Sequence, residues 1–416
     1  ETGAMIVLDG VLGTGFKPPM AEDIEDKLKA AQSIFRTYTW VAVDCPSGVD
    51  STSGEVSPAV PKARLTICLE AVKTGLLTPS AFPYCGEILS VELGISEYSQ
   101  QHQADLVVDQ AMARSWLPKR DDFSHKGSYG KVTVAGGCMN YPGAPVLAAK
   151  GAYTVGTGLV QVAVPESIAH SGMSGLLEAT WLILEDGGGI ISEMAADTLR
   201  AGLKKCECLV LGPGIGREEP TRKFIHSLLF KGEDGEEHGA GFLGVGKTTT
   251  KKESARFPAM VVDADALALL SMEKDWSRKL QGGCVLTPHP GEMALLSGLT
   301  VDEIQANRLE ITREHARRWG QVLVLKGALT IIASPTGQIG VVPVATSALA
   351  KGGTGDVLAG MIGGLIAQGL DPWHAALTGA WMHARAGLAA AFQAGSCESV
   401  LASDVVRAIP VVYRDL

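Results

Sequence analysis

Residues 348–369 read "ALAKGGTGDVLAGMIGGLIAQG", and this stretch decides the fold. A glycine-rich turn ends in Asp356 and runs straight into an apolar helix rich in Gly and Ala. Backbone N–H groups at such a turn point out of the helix's positive end and form a hole for an anion. Gly353 and Gly355 let the backbone approach a phosphate closely, with Thr354 between them. Asp356, in the first turn, is placed to take a proton from a hydroxyl attacking the phosphorus. One loop thus supplies both the anion stabilisation and the base that phosphoryl transfer needs. The bland alternative is a glycine-rich helix start with an Asp as its cap.

Working outward, apolar runs of strand length alternate with amphipathic stretches: "MIVLDG", "WVAVDCPSG", "LTICLEA", "KVTVAGG", "LVQVAVP", "CLVLGPGIG", "AMVVDADAL" and "VLVLKGA". Short continuous apolar strands separated by helices predict α/β architecture, with parallel sheets covered on both faces. Ligands of open α/β sheets gather at the carboxyl ends of strands. Three segments can converge there on the glycine loop. "LGPGIG" (Leu211 to Gly216) leaves a strand with three glycines, "TPHPGEM" (Thr287 to Met293) carries His289 and Glu292, and "LKGALT" (Leu325 to Thr330) places Lys326 where it could balance phosphate charge. In "VVDADAL", Asp263 and Asp265 either support Mg²⁺ or cap the helix after the strand.

Strand signals pause over residues 96–125, which predicts domains 1–105 and 106–416. A Gly-rich, charged stretch at 231–259 has no strand pattern and reads as a surface insertion. Inside it, "GFLGVGKT" at 241–248 matches the phosphate-loop pattern G-x-x-x-x-G-K-[ST] letter for letter. A working loop of that type needs a buried strand before it and a helix after it. Here "GEDGEEHGA" precedes and "TTTKKESARFP" follows, so the match is read as accidental.

With 416 residues, 46% of them hydrophobic, the chain can bury the cores of two ordinary domains. A net charge of -9 without a basic block argues against nucleic acid as a partner and for a small molecule. The eight cysteines are scattered through apolar runs without zinc-site spacing, which predicts buried free thiols and a reducing, cytoplasmic setting. No apolar run reaches the roughly 18 residues a membrane helix needs, and no signal segment is present. The opening "ETGAM" reads as an expression scar.

Taken together and in order, "SHKGSYGKV" (Ser124 to Val132), "YPGAPVLAAKGAYTVGTGLV", "LGPGIG", "VVDADAL", "TPHPGEM", "LKGALT" and "GGTGDVLAG" resemble the ADP- or ATP-dependent NAD(P)H-hydrate dehydratases, which are ribokinase-like enzymes. "LDGVLGTGFKPP" (Leu8 to Pro19), "VAVDCPSGVDSTSGEV" (Val41 to Val56) and "CGEILSVELGI" (Cys85 to Ile95) resemble the NAD(P)H-hydrate epimerases. The resemblance implies a three-layer α/β/α dehydratase domain preceded by a partial Rossmann-like α/β epimerase domain. The family's upstream Asn-Gly-Gly-Asp-Gly-like segment would precede residue 1, so the epimerase half is expected to be truncated, with an exposed sheet edge and apolar face.

In the dehydratases, the S-epimer of NADH or NADPH hydrate is phosphorylated on its ring hydroxyl and loses phosphate. By that resemblance Asp356 is the base; Gly353, Thr354 and Gly355 hold the transferring group; Lys326, Gly327, Ala328, Leu329, Thr330 and Gly355 contact ADP or ATP; and Ala144, Gly214, Gly216, His289 and Asp356 line the hydrate pocket. His289 equally suits a structural turn, because a His-Pro pair ends strands well. In the epimerase half, Asp9 and Ser47 match potassium ligands, and Gly13, Thr14, Gly15, Phe16, Lys17, Pro18, Pro19 and Asp44 match substrate-binding positions. The implied cofactors are ADP or ATP, Mg²⁺ and K⁺; the implied partners are the two hydrates, with no nucleic acid or membrane, in a homo-oligomer. Two alternatives stay open: a kinase of the same superfamily acting on a vitamin-precursor alcohol, and a non-catalytic nucleotide-binding scaffold.

Overall fold

Strands and helices follow the alternation of short apolar runs, in a computed structural model that describes residues 5–94, 105–230 and 257–416. The chain divides into two compact units, Glu1–Val107 and Val108–Leu416.

In the first unit, β1 (Ile6–Asp9), β2 (Thr39–Val43), β3 (Leu65–Leu69) and β4 (Glu87–Val91) lie side by side in chain order, all parallel. Helix α1 (Glu22–Ile34) makes the first crossover. Strand alternation sends Trp40, Ala42, Thr66 and Cys68 to a buried face, while Ile6, Leu8, Leu89 and Val91 on the opposite face are exposed. The exposed apolar face expected for this half is present, whereas the general expectation of sheets covered on both faces does not hold for it.

The second sheet holds β5 (Leu106–Val107), β6 (Lys131–Ala135), β7 (Leu159–Pro165), β8 (Thr180–Leu184), β9 (Cys208–Leu211), β10 (Ala259–Val262), β11 (Val285–Leu286), β12 (Val322–Leu325), β13 (Ile331–Ala333) and β14 (Ile339–Val341). They form one sheet in the order β5-β14-β13-β12-β11-β10-β9-β6-β7-β8. From β12 through β8 the pairs are parallel, but β13 and β14 run antiparallel. The expectation of wholly parallel sheets is corrected here: the links after β12 and β13 are too short for a crossover and permit only hairpins.

The chain runs from β6 outward to β8, then returns to β9 on the other side of β6. That reversal is a topological switch point. Right-handed crossovers then put helices on opposite faces to either side of it, making three layers. Helix α2 (Ala144–Thr154) covers β6 and β7; α3 (Pro290–Ser297) follows β11; α4 (Thr354–Ala367) crosses β6, β9 and β10 beside α2; and α5 (Pro372–Ala394) packs on α4.

Helix α4 is buried from Val357 to Ala367. Fully burying Leu358, Met361, Ile362 and Leu365 contributes roughly 1.5–3 kcal/mol each. The glycines where α4 and α2 cross serve close contact. A Cβ on Gly360 would sit 1.8 Å from the Ala148 carbonyl oxygen, and one on Gly151 would sit 2.5 Å from that of Val357.

Strand β10 starts at Ala259, so the sheet resumes within the last residue of the expected 231–259 insertion. Residues 231–256, including the "GFLGVGKT" match, lie outside the described residues. All eight cysteines are free, six of them buried. Among the described residues no helix is long and apolar enough to cross a membrane.

Candidate functional site

The site of the second unit is assembled by register. Leu211, Val262 and Leu286 end β9, β10 and β11 at one level of the sheet, so the residues that follow emerge together. Asp263 follows β10, Thr287 follows β11 and Lys326 follows β12. Lys326 Nζ donates to Asp263 Oδ1 at 2.7 Å, and the Thr287 hydroxyl donates to the same oxygen at 2.7 Å. Glu292 Oε2 lies 3.7 Å from Lys326 Nζ. Burial works against the Lys326 charge, but the carboxylates of Asp263 and Glu292 outweigh it and hold the ammonium above its usual range.

Glu292 and His289 are fixed by the start of α3. His289 Nδ1 accepts from the Gly291 and Glu292 amides at 2.9 and 3.3 Å, and Glu292 Oε2 accepts from the His289 amide at 2.8 Å, a reciprocal cap. His289 therefore holds a structural position and also lines the cavity described below.

Asp356 lies in the first turn of α4, near this cluster. Burial first, and then the negative charge of Asp263, push its carboxyl up to about 7, while Lys326 pulls the other way. Gly353 precedes α4 in a left-handed conformation with φ 92°, which turns the loop so that the first amides of the helix face outward. A Cβ on Gly355 would lie 3.4 Å from Lys326 Nζ, so the loop and the ammonium share one space.

A cavity of about 500 Å³ opens there. It is lined by the polar side chains of His289, Lys326, Thr330, Thr346, Lys351, Thr354 and His383, by Gly327, Ala328 and Gly355, and by apolar residues that include Val344, Leu349, Leu358 and Ala380. Leu329 is buried behind this wall at φ 55°, its amide bonded to the Val344 carbonyl. Of the expected hydrate-pocket residues, Ala144 and Gly214 touch each other, since a Cβ on Gly214 would lie 2.8 Å from that of Ala144. Neither they nor Gly216 line this cavity. The Gly216 amide donates to Asp265 Oδ2 at 3.2 Å, and Arg217 pairs with Asp265 Oδ1 at 2.5 Å. The capping role considered for Asp263 and Asp265 is not realised: Ala264 occupies the cap position with no side-chain bond.

Sequence reasoning did not single out the side chains that orient this cluster. Thr287 was quoted only as part of a motif. Arg308 donates to the Leu325 and Lys326 carbonyls at 3.2 and 3.4 Å and so holds the Lys326 turn from behind. His383 on α5 also lines the cavity, on a helix that mixes small residues with Trp373, Trp381, Met382 and Phe392, and nothing in the sequence set it apart.

In the first unit, Asp9 and Ser47 are brought together: Asp9 Oδ2 accepts from the Ser47 amide at 2.8 Å and Oδ1 from the Ser47 hydroxyl at 2.5 Å. The Ser47 oxygen also accepts from the Leu12 amide at 2.8 Å. These buried hard oxygens suit a monovalent cation chemically, each with a lone pair left to offer. Asp44, at φ 69°, accepts from the Leu69 amide at 2.9 Å and pairs with Lys73. Of the expected loop, Phe16 donates its amide to the Gly13 carbonyl, Thr14 accepts from Ser51, and Lys17 pairs with Asp50 at 2.9 Å. Gly15, Pro18 and Pro19 continue the same loop.

A family pattern described as NAD(P)H-hydrate dehydratase matches residues 132–411, and one described as the YjeF-related protein N-terminus matches residues 1–75. The bifunctional NAD(P)H-hydrate repair enzyme Nnr of Moorella thermoacetica is 36% identical over 421 residues, covering 99% of this chain and 73% of its own. Its counterpart from Escherichia coli is 33% identical over 402 residues, covering 96% and 70%. The ADP/ATP-dependent NAD(P)H-hydrate dehydratase of Bacillus subtilis, crystallised with ATP and Mg²⁺, superposes with a TM-score of 0.58 at 28% identity, over 75% of this chain and 98% of that one. A ribokinase-like superfamily protein of Enterococcus faecalis shares the fold, with a TM-score of 0.59 at 21% identity over 74% and 95%. The expected truncation of the first half finds no support in these matches, in which the pattern for that half covers residues 1–75.

Proposed function

The chain belongs to the bifunctional NAD(P)H-hydrate repair enzymes, and from that premise we propose that its second unit restores NADH and NADPH from their S-hydrates using ADP or ATP. The observation that carries the reading is Asp356, a carboxyl held at about 7 beside Lys326 at the mouth of an anion-binding helix start.

Asp356 takes the proton of the ring hydroxyl as that oxygen attacks the terminal phosphorus of the nucleotide. The bridging O–P bond breaks, and ATP leaves as ADP or ADP leaves as AMP. The ring C–O bond then breaks with loss of a neighbouring C–H proton, which gives inorganic phosphate and the dihydropyridine. Phosphorylation makes a good leaving group of a poor one. The amides of Gly353, Thr354 and Gly355 receive the transferring group, where charge spreads over its oxygens. Lys326 stays cationic because Asp263 and Glu292 hold it so. The Lys326 to Thr330 turn contacts the nucleotide, and Ala144, Gly214, Gly216 and His289 face the hydrate.

Mg²⁺ would arrive with the nucleotide, since it takes one or two carboxylates together with phosphate oxygens. Asp263 and Asp265 each already accept a cationic side chain, which suits such a shared rather than all-protein site. It would supply charge neutralisation on the phosphates.

For the first unit we propose the epimerase part, exchanging R and S hydrates, with the Gly13 to Pro19 loop and Asp44 toward the substrate. Asp9 and Ser47 would hold potassium through their buried oxygens.

Purified protein mixed with NADH hydrate and ADP or ATP should regain the absorbance of the dihydropyridine. Nucleotide binding without that signal would favour the scaffold. Phosphorylation of a hydroxymethylpyrimidine or hydroxyethylthiazole alcohol in its place would favour the vitamin-precursor kinase.

A further inference from the structure

The turn after β12 is held by a charge that the fold leaves unanswered. Arg308 opens the helix Arg308–Trp319 and reaches back to residues 325–327. Its guanidinium donates to the Leu325 carbonyl at 3.2 Å, the Lys326 carbonyl at 3.4 Å and Gln305 Oε1 at 3.0 Å, all of them neutral acceptors. Its Nε is buried without a partner. No carboxylate pairs with Arg308 among the described residues, and burial pulls the guanidinium below its usual range with no counter-charge to oppose it. Withdrawing a charge from water is offset by a partner of opposite sign, and here the protein supplies none.

The same contact decides what the turn shows to the cavity. A trans peptide points its C=O and its N–H to opposite sides, so anchoring the Lys326 carbonyl on Arg308 aims the Gly327 N–H away from the guanidinium. The Lys326 amide is taken up by the Pro288 carbonyl at 2.9 Å, whereas the Gly327 amide has no hydrogen-bond partner among the described residues. Gly327 is exposed and lines the cavity. A Cβ on it would lie 3.1 Å from the Arg308 guanidinium, so the charge stands directly against the turn. Gly327 thus brings together an open amide and a positive charge with no counter-ion, the pair that an anionic oxygen requires.

We propose that Arg308 is a positioning residue for the phosphoryl donor: it turns the Lys326–Gly327 peptide so that the amide, not the carbonyl, meets the phosphates, and its charge is answered when they arrive. Arg308 does not itself line the cavity, so it acts through the turn. A fixed positive charge attracts in proportion to the charge it faces, so ATP gains most from it, ADP less and AMP least. The inference rests on the reading that this cavity takes ADP or ATP.

The test measures calorimetric Kd values for ATP, ADP and AMP with the native chain, Arg308→Gln and Arg308→Lys. Arg308→Gln keeps a donor for the carbonyls and removes the charge; it should weaken ATP by roughly ten- to a hundredfold, with a smaller loss for each phosphate removed. Arg308→Lys keeps the charge without the fork and should recover part of the ATP affinity. In the absorbance assay the loss should fall on the KM for ATP rather than on kcat. Unfolded protein lowers the calorimetric stoichiometry and not the Kd, so a less stable variant still reports. Equal losses for the three nucleotides, unchanged ATP binding in Arg308→Gln, or a lysine variant no better than the glutamine one overturns the proposal. Losses graded by phosphate number without dehydratase turnover in the native chain would overturn the dehydratase reading and leave Arg308 in its role; absence of nucleotide binding by the native chain overturns both.

Discussion

Asp9 and Asp356 are aspartates at a strand end and a helix start, each withdrawn from solvent, and they are treated in opposite ways. Around Asp9 both oxygens are answered by Ser47, through its amide and its hydroxyl. Asp356 faces Asp263, Asp265 and Glu292, and the nearby cation, Lys326, is committed to Asp263. Hydrogen bonds to a carboxylate stabilise its charged form, whereas burial beside like charges favours the proton. Burial first, and the charge of Asp263 next, are what raise the Asp356 carboxyl.

The sharpest way to break the comparison is to remove the charge of Asp356 and keep its shape. Asp356→Asn should lower kcat by about 10²–10⁴, the range of positioned general bases, while nucleotide affinity changes little. Calorimetry with ATP beside the absorbance assay separates the two effects. Normal turnover in the variant would remove Asp356 from the base role.

The pH profile is the next largest effect. With the carboxyl at about 7, the working deprotonated form is scarce in acid, so kcat/KM should rise about tenfold per unit below that point and level above it. Stability should move the other way. The folded state keeps a proton that the unfolded chain releases near 3.9, so folding is favoured in acid and loses that advantage as pH climbs through about 7. Asp356→Asn abolishes the dependence, and its melting temperature should exceed that of the native chain by more at pH 8 than at pH 5. Equal differences at the two pH values would show that Asp356 is not under this strain.

On the other side of the comparison, Ser47→Ala removes the hydroxyl between Asp9 and the Leu12 amide. Breaking a buried charged bond of this kind should destabilise the first unit by about 1–3 kcal/mol. Hydrogen exchange at the Leu12 amide should quicken with it, and unchanged exchange would mean that Asp9 is held by other means.

The placement of Asp356, the proposed base, of the glycine loop and of Lys326 near one another was legible because each lies within a few residues of its strand or helix end, where spacing carries meaning. The partner of Lys326 was not, since Asp263 is 63 positions away and only the strand register brings the two together. The antiparallel return of β13 and β14 was hidden for another reason. "TIIASPTGQIGVV" has the same β-branched composition as the parallel strands, and composition does not encode direction. His289 was ambiguous because it caps a helix in a position usually held by Ser, Thr, Asp or Asn, although Glu292 three residues on was the available signal of a capping box. The glycines divide by place: Gly353 serves the loop, as read from the sequence, whereas Gly360 within α4 serves the α2 contact, to which nothing in the sequence pointed.

The smallest expected effect concerns the segment with the most conspicuous pattern. Lys247 belongs to "GFLGVGKT", which lies outside the described residues, yet its neighbours in sequence supply neither the entering strand nor the leaving helix that a phosphate loop requires. The "GGTGD" segment at 352–356 lacks the pattern but opens α4, the helix buried across β6, β9 and β10. Amides bind phosphate only when the fold holds them converging on one point, which a string of letters does not guarantee. Lys247→Ala should therefore leave both dehydratase kcat/KM and the Kd for ATP within about twofold of the native values, the spread of ordinary surface substitutions. A tenfold loss in either would relocate the phosphate site and undo the assignment of Asp356 along with it.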